Sequence, residues 1–286
     1  MKRYFAILIL LLFASVTGQG QNLRCHYTSW SKMEASGKFS KVPDRRLDYF
    51  EGKSAWYSES SYIRDSLHFI AFDDTGKTAD PEAYGELTRT RSTSFDATTI
   101  DYHTQTFLQH YQSSRLFLSG SGSLSLPQWS LSEEEKEILG FSCYKATARY
   151  LGRDWTIWYA VDFPVGIGPW LLWGAPGLIL EARDADNLFV FSCTQIEEFE
   201  DGHRFDLLRQ YYTVPRNKSR IGNYTNDTLQ KVELTYTKLR TDVNFFDQAH
   251  SIKSVRVVDT DGKELDRSAF YKYIPLIPTE YWNNPR

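Results

Sequence analysis

Few side chains in this chain have the type and spacing to do chemistry. Asp162 and Glu181 bracket a run of prolines, glycines and tryptophans. If the ends of that run meet, two carboxyls come together, and a retaining glycosidase needs such a pair about 5–5.5 Å apart. The same acids would otherwise accept hydrogen bonds from the run's own amides or pair with Arg153 or Arg183. Cys143 as a nucleophile would require a histidine, and none is close in sequence. Cys25-His26 could contribute to a soft-metal site, but adjacent residues of a strand point apart. His103 and His110 fall on opposite faces of a strand for the same reason. The chain holds no G-x-S-x-G, no H-E-x-x-H and no C-x-x-C. No catalytic residue, no metal ligand and no cofactor is therefore assigned. Arg149 and Arg153 could grip a ligand carboxylate, or stand as solvated strand-edge charges.

What remains is aromatic surface. The chain has 18 Tyr, 18 Phe and 8 Trp, usage that suits β-strands, interfaces and ligand grooves. Trp155, Trp158, Tyr159, Trp170 and Trp173 crowd into one short segment. They are either core or, with Arg153, the lining of a concave site for a peptide, glycan or lipid chain. The expected function is a non-catalytic binding protein working through this loop region. The alternatives are a hydrolase of peptide or glycan built on Asp162, Glu181 or Cys143, and a Cys/His metal-binding protein.

The elements around these residues follow from periodicity. Between Pro164 and Gly177 stand Gly166, Gly168, Gly174 and the prolines Pro169 and Pro176, with only apolar residues in the gaps. Each proline fixes φ and each glycine allows values that other residues avoid. The composition predicts a packed loop of one defined shape, and strain on substitution of Gly174 or Gly177 wherever φ is positive. Two hairpins flank it. Residues 141–151 and 155–163 turn through Gly152-Arg153, and residues 178–182 and 188–199 turn through residues 183–187. Residues 25–30, 54–58 and 67–72 read as short strands, and residues 98–111 as one alternating strand with 115–119 pairing back. Residues 120–123 read as a loop, 132–137 as a helical turn, and 232–239 and 251–258 as further strands. The fold expected is mainly β: one domain over residues 21–286, its antiparallel strands forming a curved sheet or open barrel with few short helices.

GAPGLIL at 174–180, preceded by Gly168-Pro169-Trp170 and followed by Glu181, resembles the GLPGLI family, secreted proteins of Bacteroidetes. Residues 140–147 (GFSCYKAT) are similar to its G-Y-x-C-x-K-A-T segment, and residues 152–159 to its G-R-x-(aromatic)-x-x-W-(aromatic) segment. Ala175 departs from the Leu of the family name. The resemblance is specific over about residues 138–197. It implies a periplasmic or secreted address and no assigned reaction. Members often sit beside TonB-dependent receptors, which implies an envelope ligand or partner and an accessory part in uptake or envelope homeostasis.

Residues 1–20 have the basic start, apolar run and small-residue end of a cleavable signal peptide, too short in its apolar run to span a bilayer. No later run would make a transmembrane anchor. A formal net charge of −3, without basic clusters, argues against nucleic acid as partner. Three cysteines allow three pairings. Cys143 and Cys193, on strands flanking the loop, are the favoured pair, and three buried thiols the alternative.

Overall fold

A computed structural model of the chain describes residues 22–32, 39–72, 77–90, 96–113, 116–198, 224–252, 256–258, 260–261, 263–270 and 275–283. Residues 1–20, expected as a signal peptide, lie outside these residues.

The described strands are β1 (Leu23–Lys32), β2 (Phe39–Phe50), β3 (Lys53–Ser58), β4 (Asp96–Asp101), β5 (Thr106–Ser113), β6 (Leu116–Ser123), β7 (Ser130–Ile138), β8 (Phe141–Tyr150), β9 (Arg153–Ala160), β10 (Leu178–Asp184), β11 (Phe189–Glu198) and β12 (Tyr224–Thr228). They form one mainly antiparallel sheet of 12 strands in the order β12-β6-β5-β4-β3-β2-β1-β11-β10-β9-β8-β7. Among the described strands β12 alone pairs in parallel, with β6. Among the described strands β7 and β12 are the outer edges, so the sheet is open. Two meanders thus meet at one seam, β1 against β11, where Leu23 pairs with Glu198 and Ser31 with Phe189.

Among the described residues four α-helices accompany the sheet: α1 (Glu59–Ala71), α2 (Pro81–Arg89), α3 (Leu229–Thr241) and α4 (Val243–Ala249). Of residues 67–72, expected as a strand, 67–71 belong to α1 and Phe72 is its extended C-cap. Ser58 accepts from Ser61 N at 3.4 Å and Asp44 Oδ2 from Ser60 N at 2.8 Å, which satisfies amides at the helix start. Residues 232–239 are also helix. V-E-L-T-Y-T-K-L fits both periods, and the Thr228 cap, accepting from Lys231 N, decides for α3.

Three further expectations change for physical reasons. Residues 98–111 are two strands, because Asp101 Oδ1 takes the amides of His103 and Thr104 and turns the chain. Gly120 and Gly122 lie inside β6, where a Cβ would stand 2.9 Å from Leu229 Cα and 2.7 Å from Phe107 Cζ. Glycine marks close approach there, not a loop. Residues 132–137 are edge strand β7, whose charges guard an unpaired edge. Residues 253–255 of the strand expected at 251–258 lie outside the described residues, and Val258 makes an isolated bridge to Glu264.

One face of the sheet carries the core. Tyr27, Leu47, Trp56, Trp155, Ile157 and Phe191 pack there, with Trp155 stacked on Phe191 at 6.1 Å and Trp56 edge-on to it at 5.6 Å. α3 covers this inner face over Tyr111 and Leu118. α1 lies on the outer face over Ala55, Tyr57 and Ala97, where Tyr62 packs.

Candidate ligand-binding surface

The central loop is a plug in the inner face. Ile167, Trp170, Leu171, Leu172 and Ala175 are buried in the core. Its shape is fixed by backbone bonds: Gly174 N to Gly166 O at 2.7 Å, Ile179 N to Ile167 O at 2.9 Å and Leu178 N to Phe163 O at 3.2 Å. Gly168 and Pro169 are buried, while Pro164 and Pro176 are exposed. Gly174 has φ +78°, as expected of one loop glycine, but Gly177 does not have positive φ. A Cβ on Gly177 would instead lie 2.1 Å from Ala160 O, so close approach and not dihedral freedom requires glycine there.

The five aromatics expected to line one site are divided between the core and the two faces of the sheet. Trp155, Tyr159 and Trp170 are core, because β9 sends its odd-numbered positions inward and Trp155 packs on Trp170 at 6.1 Å. Trp173 is half-buried on the inner side, donating Nε1 to Ser125 O at 3.1 Å and facing Tyr102 at 5.8 Å. Trp158 alone of the five reaches the outer face, half-buried.

Arg153 is not free to grip a ligand. It donates to Asp184 Oδ2 at 2.9 Å, to Leu276 O at 2.7 Å and to Pro275 O at 2.7 Å. Burial holds its pKa below the usual arginine value even with Asp184 beside it. It forms the wall of a cleft of about 500 Å³ between the hairpin turns and residues 275–280, which Arg149, Asp154, Asp186 and Glu280 also line. Arg149 is itself paired with Asp154 at 2.9 Å.

The proposed acid pair does not form a catalytic couple either. Glu181 is hydrogen-bonded by Lys136 Nζ across the outer face, and Asp162 stands exposed in the turn after β9. Both charges act on Cys143, but burial is the largest cause pushing that thiol up to about 11. A thiol so poor in thiolate is a weak nucleophile. Iodoacetamide at pH 8 should therefore alkylate Cys143 in the folded protein at least about a hundredfold more slowly than an ordinary exposed cysteine. Peptide mapping after timed quenching reads this, and labelling at the ordinary rate would refute it.

The three cysteines are free and buried. The pairing of Cys143 with Cys193 is corrected by topology: β8 and β11 are three strand spacings apart, about 14 Å, beyond the reach of a disulfide. Cys193 instead meets the thiol of Cys25 across the β1–β11 seam, a contact that with burial raises the Cys25 pKa. Cys25 points inward and His26 outward, where its Nε2 lies 2.9 Å from Glu197 Oε1. Among the described residues no group of three His, Cys, Asp or Glu could hold a metal ion. No described helix is long and apolar enough to cross a membrane.

The outer face holds what the sequence reading missed. Register places Lys145 (β8), Trp158 (β9), Glu181 (β10), Ser192 (β11) and Thr28 (β1) in one row across five strands. All five are half-exposed. The row spans four strand spacings, about 19 Å. Lys136 Nζ lies over the Trp158 ring at 4.5 Å, and Lys145 Nζ pairs with Glu134 at 2.7 Å. Four residues back along β1 from Thr28, Arg24 grips the buried Asp48 through two hydrogen bonds of 2.8 Å, and the Tyr57 hydroxyl donates to the same carboxylate at 2.9 Å. Strand alternation in Arg24-Cys25-His26 could have shown the outward set. The row itself needs the cross-strand register, which local sequence does not carry.

Comparison with known proteins adds three findings. The family model described as N-glycanase peptide, N-terminal domain, matches residues 86–214. Two solved structures of PNGF-II, in space groups P21 and C2, are similar at 16% identity with TM-scores of 0.47 and 0.45. They cover 77% and 74% of this chain, which spans only 33% and 32% of theirs. No curated protein matches.

Proposed function

We propose that the chain is a non-catalytic binding domain that takes a glycan or glycopeptide along the outer face of β8–β11 and β1. The observation that carries this reading is the half-exposed row Lys145, Trp158, Glu181, Ser192 and Thr28. An indole face offers apolar contact to the C–H face of a sugar ring, while neighbouring ammonium, carboxylate and hydroxyl groups meet its hydroxyls. A row about 19 Å long accommodates several linked rings. The Lys136 ammonium occupies the indole in the free protein, so the sugar displaces it or stacks beside it.

The match to the N-terminal domain of an N-glycanase over residues 86–214 supports glycan chemistry as the theme. The resemblance to the GLPGLI family supports a periplasmic or secreted address and an accessory part in the envelope. The absence of turnover in this reading rests on Glu181 held by Lys136 and on the buried, protonated Cys143.

Trp158→Ala should weaken glycan binding by about 2 kcal/mol, roughly thirtyfold in Kd. A glycan and glycopeptide array, followed by titration calorimetry of the hits, measures it. Equal binding by wild type and variant, or no binding by wild type, rejects the row as the site. Release of glycan or peptide by the same preparation would overturn the non-catalytic assignment and favour a hydrolase.

A further inference from the structure

Helix α3 carries a carboxyl in the middle of its apolar stripe. Leu229, Val232, Tyr236 and Leu239 are its buried positions, and Glu233 sits among them at 2% exposure. The stripe lies tightly on the sheet: a Cβ on Gly120 would stand 2.9 Å from Leu229 Cα, and the Tyr236 ring stacks on Tyr111 at 4.1 Å. Glu233 Oε1 accepts the Tyr111 hydroxyl at 2.5 Å. Oε2 is buried and has no hydrogen-bond partner. Among the described residues an ionised carboxylate here would hold one donor and no cation, which is far costlier than burying the neutral acid.

The surrounding charges do not relieve it. On β4, Asp96 repels a Glu233 anion, and its own carboxylate is held by Arg45 of β2 at 2.7 Å. β5 contributes the Tyr111 hydroxyl, and described β6 positions on this side are Leu116, Leu118, Gly120 and Gly122. On α3 itself Arg240 is exposed and acts on Tyr236, while Lys231 pairs with Asp227 of β12. On α4, Asp247 pairs with Arg267, and His250 bonds Phe246 O.

We propose that Glu233 makes α3 a pH-sensitive cover over β5 and β6: the helix is held down while the carboxyl is protonated and lifts when its proton passes to water. Lifting exposes Glu233 to solvent and uncovers Tyr111 and Leu118. Burial pushes the docked carboxyl up to about 7 from an ordinary value of 4.5, with Asp96 adding to the rise and the Tyr111 hydroxyl opposing it. The docked state therefore binds the proton more tightly than the lifted state. Docking is complete in strength below the lifted-state value, weakens as pH rises through the window up to about 7, and changes no further above it.

Native-state hydrogen exchange of the full chain tests this, comparing amides of residues 229–241 with those of β8 and β9. After correction for intrinsic exchange, the opening constant of α3 should rise up to about tenfold per pH unit between pH 5 and 7 and level off above, while β8 and β9 stay flat. Glu233→Gln should remove the slope. Tyr111→Phe, which deletes the one donor to the anion, should extend the window upward and decides the matter if the glutamine variant does not fold. An α3 opening constant equal at pH 5 and pH 8 overturns the proposal. So does a wild-type slope in Glu233→Gln, or an unmoved window in Tyr111→Phe.

Discussion

Replacing Gly177 with alanine destabilises the protein by about 4 kcal/mol or more, placing it among the most damaging single-methyl additions. The added Cβ falls 2.1 Å from Ala160 O, 2.6 Å from Ala160 C and 3.0 Å from Val161 Cα. All three are backbone atoms where the loop re-enters the sheet, and Leu178 pairs with Ala160 in the next position. Nothing there can swing aside, so β9 and β10 must separate. Gly174→Ala is milder. Its φ of +78° costs about 1 kcal/mol for any side chain, and the nearest atom, Leu126 Cδ1, ends an exposed flexible side chain. Gly140→Ala, with φ +84° and nothing within 4 Å, isolates the dihedral cost alone. Melting temperatures should fall by about 10 °C for Gly177→Ala and about 2–4 °C for the other two. A Gly177 variant that melts with the Gly140 variant would show that the loop and β9 are not locked together.

The same loop marks how far sequence reaches. Its prolines, glycines and apolar gap residues announced a packed bend, and the hairpins β8–β9 and β10–β11 were legible from alternation around Gly152 and residues 183–187. β2 was illegible because it carries charge on both faces. Arg45 is turned inward over Trp56 at 4.6 Å and paired with Asp96, while Asp48 on the other face is gripped by Arg24. Such a strand shows no apolar period, and only partners distant in sequence make its burial tolerable. α3 was misread because its segment fits the strand period as well as the helical one, and its central buried position is an acid that weakens the helical stripe. The seam of β1 on β11 joins residues about 170 positions apart, and no local pattern encodes that pairing.

The candidate site was less legible than the fold. Crowding of tryptophans in sequence suggested one aromatic surface, yet a strand sends neighbours to opposite faces, so Trp155 and Trp158 part company at once. Glu181 and Asp162 were read as a pair across the loop. The real partner of Glu181 is Lys136 on an edge strand whose charges had suggested a helical turn. The row around Trp158 is a property of register over five strands and could be seen only after pairing was known.

Arg153 illustrates the cost of assigning ligand contact to a charge that the fold consumes, and its removal is the second large effect. Arg153→Met and Asp184→Ala should each lose about 3–5 kcal/mol, because each leaves a buried charge without its partner. In the arginine variant Asp184 keeps only Phe189 N, at 2.9 Å, and the carbonyls of Pro275 and Leu276 lose their donor. In the aspartate variant the guanidinium keeps those carbonyls and the Phe189 ring at 4.7 Å but loses its hydrogen-bonded counter-ion, leaving only the weaker charges of Asp186 and Glu280. Arg153→Met with Asp184→Leu removes both charges and should recover part of the loss, so the double-mutant cycle shows strong coupling in denaturant unfolding. The chain end should also loosen. Pro278 and Tyr281 pack on the Gly152 turn, and with Arg153 gone limited proteolysis should cut first near residues 275–283. Single variants within about 0.5 kcal/mol of wild type, cut no faster at that end, would return Arg153 to the surface charges and reopen the cleft beside it as a place for an acidic ligand.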